Sequence, residues 1–147
     1  MYKKILVGLD GSQHGLAAAE TGIELAKASG AELHFLTATR PYKVSPQLRN
    51  YLEAENLLGE PKYVMDEMTH AIVDEAEEHA KQAGLTNIKT AVREGKPARS
   101  IIDYAKSNGV DLIVLGSRGV GELEAALLGS VSHKISLLSP CSVLVVR

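Results

Sequence analysis

The sequence is poor in cysteine and has no long apolar run. Cys141 is the only cysteine among 147 residues, so no disulfide can form within the chain and nothing indicates an oxidising compartment. Its place before an apolar segment predicts a small buried hydrophobic side chain rather than a reactive thiol. No apolar run approaches the ~20 residues that span a bilayer. The apolar start of the chain is interrupted at Gly8, too early for a signal peptide.

An excess of positive charge is also missing. The formal net charge is −2 and the basic residues form no run, which argues against a nucleic-acid-binding surface, and nothing in the sequence supports membrane attachment. We therefore expect a cytoplasmic protein with no nucleic-acid or membrane partner. A chain of this length fits one domain, residues 1–147, and can bury roughly 70% of the surface that its unfolded form would expose.

Short apolar runs alternate with segments of helical periodicity along the chain. Strands are predicted at 3–9, 32–39, 88–93, 111–115 and 142–146, and helices at 13–29, with Ser12 as its cap, and at 62–83, 97–108 and 130–138. This alternation predicts a three-layer α/β/α domain with a parallel sheet between helices. Residues 40–61 are predicted to be irregular, with a short helical piece at 51–58. The length of this segment and its place after the second strand suggest a lid over a ligand.

The second helix is predicted to pack through an apolar stripe and to expose an acidic face. The stripe consists of Val64, Met65, Met68, Ile72 and Ala76. The carboxylates lie mostly off the stripe: Asp74, Glu75, Glu77 and Glu78. They could be interpreted as a metal site, but they lack the spacing of a ligand set, so a solvated helix face is the better interpretation.

A glycine-rich loop follows the fourth strand and carries the main functional signal. Gly116 and Gly119 allow the backbone to turn sharply and to bring its N–H groups close to an anion. Gly129 and Ser130 fall at the start of the last helix, whose N-terminal N–H groups favour phosphate. The hydroxyl groups of Ser130 and Ser132 can add hydrogen bonds. The spacing alone leaves open whether these glycines bind phosphate or only end a strand and begin a helix.

Several better-known motifs are absent. Gly95-Lys96 is followed by proline, so there is no G-x-x-x-x-G-K-[ST], and Gly119-Val-Gly121 does not continue as G-x-G-x-x-G. No serine lies in G-x-S-x-G, and no histidine pair matches H-E-x-x-H. His133 is the histidine nearest the loop. A histidine at such a place is more commonly a residue of the helix surface than a functional one.

The loop reads Gly116-x2-Gly119-x9-Gly129-Ser130 and resembles the G-x2-G-x9-G-[S/T] loop of the ATP-binding branch of the universal stress protein family. The opening Ile5-Leu-Val-Gly-Leu-Asp-Gly-Ser, the fourth strand and the closing Pro140-Cys-Ser-Val-Leu-Val-Val extend the resemblance over essentially the whole chain.

The resemblance implies a Rossmann-like fold of the adenine nucleotide alpha hydrolase-like type. Its open parallel sheet has five strands in the order 3-2-1-4-5, and ATP lies where the strand order reverses. Carried over by position, the resemblance implies contacts with ATP from the ends of the first two strands and from the loop. These residues are Gly8, Leu9, Asp10, Ala38, Gly116, Gly119, Gly129, Ser130 and Val131, with Ser132 as a plausible addition.

Further expectations depend on this resemblance. Ala38 matches a position that is often valine and would form a smaller wall against adenine. Asp10 would accept hydrogen bonds from the nucleotide, although an aspartate beside Ser12 also suits a helix start. Arg118 and Arg40 are possible neighbours of the phosphates. Magnesium would accompany ATP, held mainly by phosphate oxygens and water.

The last strand gives an independent reason to expect a homodimer. Ser142–Val146 would be an apolar edge strand, and pairing with the same strand of a second copy would cover it; the resemblance implies the same dimer.

Three functions remain open from the sequence. The favoured one is an ATP-binding regulatory module of a stress response, with no catalytic residue assigned. The others are a weak ATPase or nucleotidyl-transfer enzyme and a dimeric scaffold that binds no nucleotide. The protein partner and the kind of stress stay open.

Overall fold

The computed structural model describes residues 1–39, 61–119 and 128–147, with Gln47 and Asn50 as isolated positions, and only the backbone of 61–66. Five strands and four helices occur within these ranges. In chain order they are β1 (Lys4–Leu9), α1 (Gln13–Ser29), β2 (Glu32–Thr39), α2 (Pro61–Gln82), β3 (Ile88–Glu94), α3 (Pro97–Asn108), β4 (Leu112–Gly116), α4 (Ser130–Leu138) and β5 (Ser142–Val146).

All five strands run parallel in one sheet of order β3-β2-β1-β4-β5, which is the order that the family resemblance implies. At the centre, Val7 of β1 pairs with Phe35 of β2 on one side and with Val114 of β4 on the other. The strand order therefore reverses at β1, and the crevice beyond the carboxyl ends of β1 and β4 is where open sheets of this kind bind ligands.

Alternation along the strands divides the core into two layers. Odd-numbered residues of β1 and β2, such as Val7 and Phe35, pack against α1 and α2. Even-numbered ones, such as Leu6 and Leu36, pack against α3 and α4. Apolar residues occupy both sides of the central strands because helices cover both faces of the sheet.

Local signals explain where the helices begin and end. The hydroxyl of Ser12 accepts a hydrogen bond from the Gly15 N–H at the start of α1, and Gly30 ends that helix with φ 71°. α3 begins with Pro97, whose missing N–H costs nothing in a first turn.

The predicted packing stripe of α2 is partly wrong. Met68 is 59% exposed, whereas Thr69, Val73, Ala76 and Ala80 face the sheet. Their spacing of four, three and four residues follows one face of the helix, displaced by one position from Met68. Ile72 is half-buried at the margin of this face. The acidic residues lie largely in solvent, and Glu77 pairs with Lys81 at 3.0 Å.

Several smaller expectations are corrected by the structure, and others concern residues outside the described ranges. Element ends differ by one residue at β1, β3, β4 and α2, and Cys141 is only half-buried, with its Sγ 3.6 Å from the Ser139 hydroxyl oxygen. The irregular segment and the short helix predicted at 51–58 lie outside the described residues. None of the described helices is long and apolar enough to cross a membrane.

Candidate functional site

A cavity of about 250 Å³ lies beyond the carboxyl ends of β1 and β4. Every site residue named from the sequence, apart from Arg40, lines it. These are Gly8, Leu9, Asp10, Ala38, Gly116, Arg118, Gly119, Gly129, Ser130, Val131 and Ser132. Arg40 lies outside the described residues.

The carboxylate of Asp10 lies between the first turn of α1 and the glycine-rich loop. Its Oδ1 accepts a hydrogen bond from the Ser12 N–H at 2.9 Å, which supports the helix-initiating role. A β-carbon on Gly119 would lie only 2.6 Å from the Asp10 Oδ2. Gly119 is therefore required for close approach, because any side chain would displace the carboxylate or the loop.

Ser117 joins the two ends of the loop. Its carbonyl oxygen accepts a hydrogen bond from the Gly129 N–H and lies 3.2 Å from the Ser132 hydroxyl oxygen. Its own N–H donates to the Val146 carbonyl of β5 at 2.7 Å. The Ser132 hydroxyl, also 3.1 Å from the Gly129 carbonyl, thus lines the cavity while donating within the loop itself.

The first turn of α4 faces the cavity through Ser130, Val131 and Ser132. Its N-cap is Gly129, and no side chain caps the helix. The N-terminal N–H groups of a helix carry partial positive charge, and a small cap leaves room for an anion to approach them. This end of the cavity is therefore suited to phosphate.

Among the described residues that line the cavity, Arg118 is the one with a positively charged side chain. Its Nε is buried and has no hydrogen-bond partner among them. A buried donor without a partner costs about 1–3 kcal/mol, so its presence is favoured where a ligand supplies the acceptor.

The opposite side of the cavity is apolar. Leu9 and Ala38 were expected here from the sequence, whereas Pro97, Ile101 and Leu115 were not. The sequence pattern indicated only a structural role in α3 for Pro97 and Ile101, since nothing local showed that the first turns of this helix reach the crevice. Gly15 was missed because nothing local indicated that the first turn of α1 also reaches the cavity.

The histidines stay outside the cavity lining. His133 is exposed on α4, which confirms the surface interpretation. The His14 Nδ1 lies 3.3 Å from the hydroxyl oxygen of Ser117, but Ser117 is buried and neither residue lines the cavity. This serine–histidine pair is therefore not placed to attack a ligand there.

Comparison with known proteins identifies the family of this chain. The family model described as "Universal stress protein family" matches residues 1–147. The chain belongs to this family. Among its relatives, universal stress protein YxiE of Bacillus subtilis is 37% identical over 154 aligned residues, which cover 100% of both chains. Universal stress protein MJ0531 of Methanocaldococcus jannaschii is 34% identical and is covered over 83% of its length.

Solved structures of the family have the same fold. The universal stress protein UspA from Lactobacillus plantarum superimposes with a TM-score of 0.77 at 30% identity, covering 99% of this chain and 98% of that one. A universal stress protein solved in complex with cAMP gives a TM-score of 0.71 at 32% identity, with coverage of 99% and 97%. The α/β fold expected from the sequence is thereby confirmed.

Proposed function

We propose that this universal stress protein binds an adenine nucleotide, ATP with magnesium, in the cavity between β1, β4 and α4. The observation that carries the proposal is the polarity of the cavity. One side is apolar, and the other combines a helix N-terminus, closely approaching glycine backbone and an arginine. A nucleotide has the same division between a flat base and a charged phosphate chain.

The apolar side accommodates the base. Leu9 and Ile101 are nearly fully buried, and Ala38 leaves more room than a larger aliphatic residue would. Burial of a ring against such a wall is favourable by about 25 cal/mol for each Å² of apolar surface removed from water. The Asp10 carboxylate lines the same cavity beside Gly119, where it can accept hydrogen bonds from ribose hydroxyl groups.

The other side accommodates the phosphates. The Nε of Arg118 gains the acceptor that it lacks among the described residues, and the first turn of α4 directs N–H groups at the same space. A magnesium ion would be held mainly by phosphate oxygens and water, because Asp10 is the one carboxylate among the described residues that line the cavity.

A neighbouring structure supports the choice of an adenine nucleotide. The universal stress protein in complex with cAMP shares 32% of its sequence with this chain, over nearly the whole of both. Base and ribose are common to cAMP and ATP, so the two ligands make the same demands on the apolar side of the cavity. They differ in the phosphates, which the loop and α4 would have to distinguish.

Binding, rather than catalysis, is the role we propose. A hydrolytic enzyme needs a base placed to activate water. The candidate among the described lining residues is Asp10, whose Oδ1 already accepts the Ser12 N–H. We therefore propose a nucleotide-dependent regulatory module in which ATP occupancy changes the surface that a partner recognises.

Calorimetric titration of the nucleotide-stripped protein tests the proposal. We expect saturable binding of Mg-ATP, weaker binding of Mg-GTP, and negligible ADP in a parallel assay. Absence of Mg-ATP binding would leave the scaffold function in its place. Release of more than one ADP for each protein molecule would favour the weak ATPase.

We also propose that the protein forms a homodimer through β5. This strand lies at the edge of the sheet and, among the described residues, pairs only with β4. Leu144 on β5 is 37% exposed, and Leu137 and Leu138 of the preceding helix are exposed as well. An apolar edge of this kind is stabilised when a second strand covers it.

A further inference from the structure

A histidine is buried in the sheet far along the chain from the loop. His34 of β2 is 1% exposed, and both of its ring nitrogens have partners. Its Nε2 meets the Glu32 carboxylate, and its Nδ1 lies 2.7 Å from the Tyr104 hydroxyl oxygen. A carboxylate can only accept, so the proton is on Nε2, and the neutral ring accepts at Nδ1 from Tyr104.

Charged groups from three strands surround this ring. Glu32 lies on its own strand, Lys4 on β1 and Lys89 on β3, while Arg93 of β3 faces Tyr104. Lys89 pairs with Glu32 at 3.3 Å, and the Arg93 guanidinium lies 5.5 Å from the centre of the Tyr104 ring. Burial is the main cause that lowers the pKa of His34; Glu32 acts in the opposite direction, and Lys89 and Lys4 lower the pKa further.

The histidine is linked through Tyr104 to the helix that lines the cavity. Tyr104 is 8% exposed on α3, one turn after Ile101, and Ile101 contributes to the apolar wall. The end of the same helix is fixed by a hydrogen bond from Lys4 Nζ to the Asn108 carbonyl, at 3.0 Å. The position of the wall thus depends on contacts made at the far end of α3.

We propose that the hydrogen bond between His34 and Tyr104 positions α3 as a wall of the nucleotide cavity, and that protonation of His34 in acid weakens nucleotide binding. The proposal rests on the nucleotide-binding function. A protonated ring donates at both nitrogens, so the contact persists only if the Tyr104 hydroxyl turns to accept from Nδ1, which leaves its own proton buried with no acceptor among the described residues. The pair must rearrange, and α3 shifts together with Ile101. His34 and Tyr104 are positioning residues, since neither lines the cavity.

The first test uses the ligand-free protein. NMR follows the His34 ring and the Ile101 methyl groups during an acid titration from about pH 7.5. We expect both signals to move with one midpoint, below the usual histidine value of 6.5. An Ile101 methyl signal that stays constant while His34 takes up its proton would overturn the proposal without any reference to nucleotide.

The second test uses His34→Gln, with His79→Gln on the exposed face of α2 as its control. A glutamine amide can donate to Glu32 and accept from Tyr104, but it does not titrate. The phosphates of ATP also take up a proton in acid, and this too changes the dissociation constant. Because position 34 does not titrate in His34→Gln, this variant measures the change that protonation of the ligand causes.

Titration with Mg-ATP compares these proteins. From about pH 7.5 to about one pH unit below the His34 midpoint found by NMR, we expect the dissociation constant of wild type and His79→Gln to rise about fivefold more than that of His34→Gln. An equal rise in all three would overturn the proposal. Absence of wild-type binding at about pH 7.5 would instead remove the proposed function, and with it the nucleotide half of this inference, whereas the NMR titration would still decide whether His34 moves α3.

Discussion

The backbone of Gly116, at the end of β4, lies directly against His14 in the first turn of α1. A β-carbon on Gly116 would come within 2.7 Å of both the His14 carbonyl carbon and the His14 Cβ. The first glycine of the loop is therefore needed for helix–sheet packing, whatever it contributes to ligand binding.

Gly116→Ala should accordingly destabilise the protein even without nucleotide. Overpacking of this kind costs about 1–3 kcal/mol, so the urea midpoint should fall clearly. His14→Ala should not rescue the variant, because the clash includes the His14 backbone. A wild-type midpoint for Gly116→Ala would show that the helix moves away at little cost.

Arg118→Gln should separate ligand binding from stability. Loss of a charge-assisted bond to phosphate costs about 1.5–3 kcal/mol, or roughly tenfold or more in the Mg-ATP dissociation constant. The free energy of unfolding without ligand should not fall, because the Nε that is removed has no partner within the described residues. Calorimetry and urea denaturation measure the two effects.

Arg99→Gln is the matched control for this variant, since that side chain is 80% exposed on α3. It should change neither quantity. A loss of stability in Arg118→Gln as large as its loss of binding would mean that the arginine supports the fold rather than the ligand.

The buried His34 should make the protein sensitive to acid. Burial lowers the pKa of His34 below 6.5, so the unfolded chain takes up this proton before the folded one does. Stability is therefore fully present above about pH 6.5 and falls as the pH drops below it. Urea unfolding at several pH values should show this decline, and His34→Gln should reduce it. A decline unchanged in the variant would assign the acid sensitivity to other groups.

Tyr104→Phe should weaken the same network from the other side. It removes the donor to the His34 Nδ1 and leaves a buried acceptor without a partner, at a cost of about 1–3 kcal/mol. Urea denaturation at neutral pH measures the loss. Tyr2→Phe, at an exposed position, is the control and should unfold as wild type does; an equally stable Tyr104→Phe would contradict the importance of the hydrogen bond.

Leu144→Lys should shift the proposed dimer towards monomer. The substitution places a charge on the outer edge strand, where a second copy of β5 would pack. Sedimentation velocity measures the change over a range of concentrations. Leu16→Lys, an exposed leucine on α1, should leave the distribution unaltered. A dimer that persists in Leu144→Lys would exclude this edge as its interface.

The order of elements was predictable from the sequence because its periodicities and breakers are strong. The strand Lys4–Leu9 is bounded by Asp10 and Gly11, and α1 ends at a glycine. The packing face of α2 was not predictable in detail. Met68 and Thr69 are adjacent, and hydrophobicity favoured the methionine, whereas contact with the sheet decides for the smaller threonine.

The cavity residues that belong to the loop motif could be predicted from the sequence. Those that reach the cavity only through tertiary structure could not. Gly119 could be named from its spacing in the loop, but its close approach to Asp10 depends on the distance between β1 and β4. Ile101 and the pair of His34 with Tyr104 carry no local signal, because residues about 70 positions apart meet only after the sheet has formed.

The nucleotide site is tested most directly through Gly119. Calorimetric titration with Mg-ATP should compare wild type with Gly119→Ala, whose β-carbon would lie 2.6 Å from the Asp10 Oδ2. The control is Gly84→Ala. Gly84 lies away from the cavity with open space around it, but its φ of 94° is unfavourable for alanine, so this variant loses stability without a change in the cavity. We predict that wild type and Gly84→Ala bind Mg-ATP and that Gly119→Ala does not. Wild-type affinity in Gly119→Ala would contradict the proposal that this cavity holds the nucleotide.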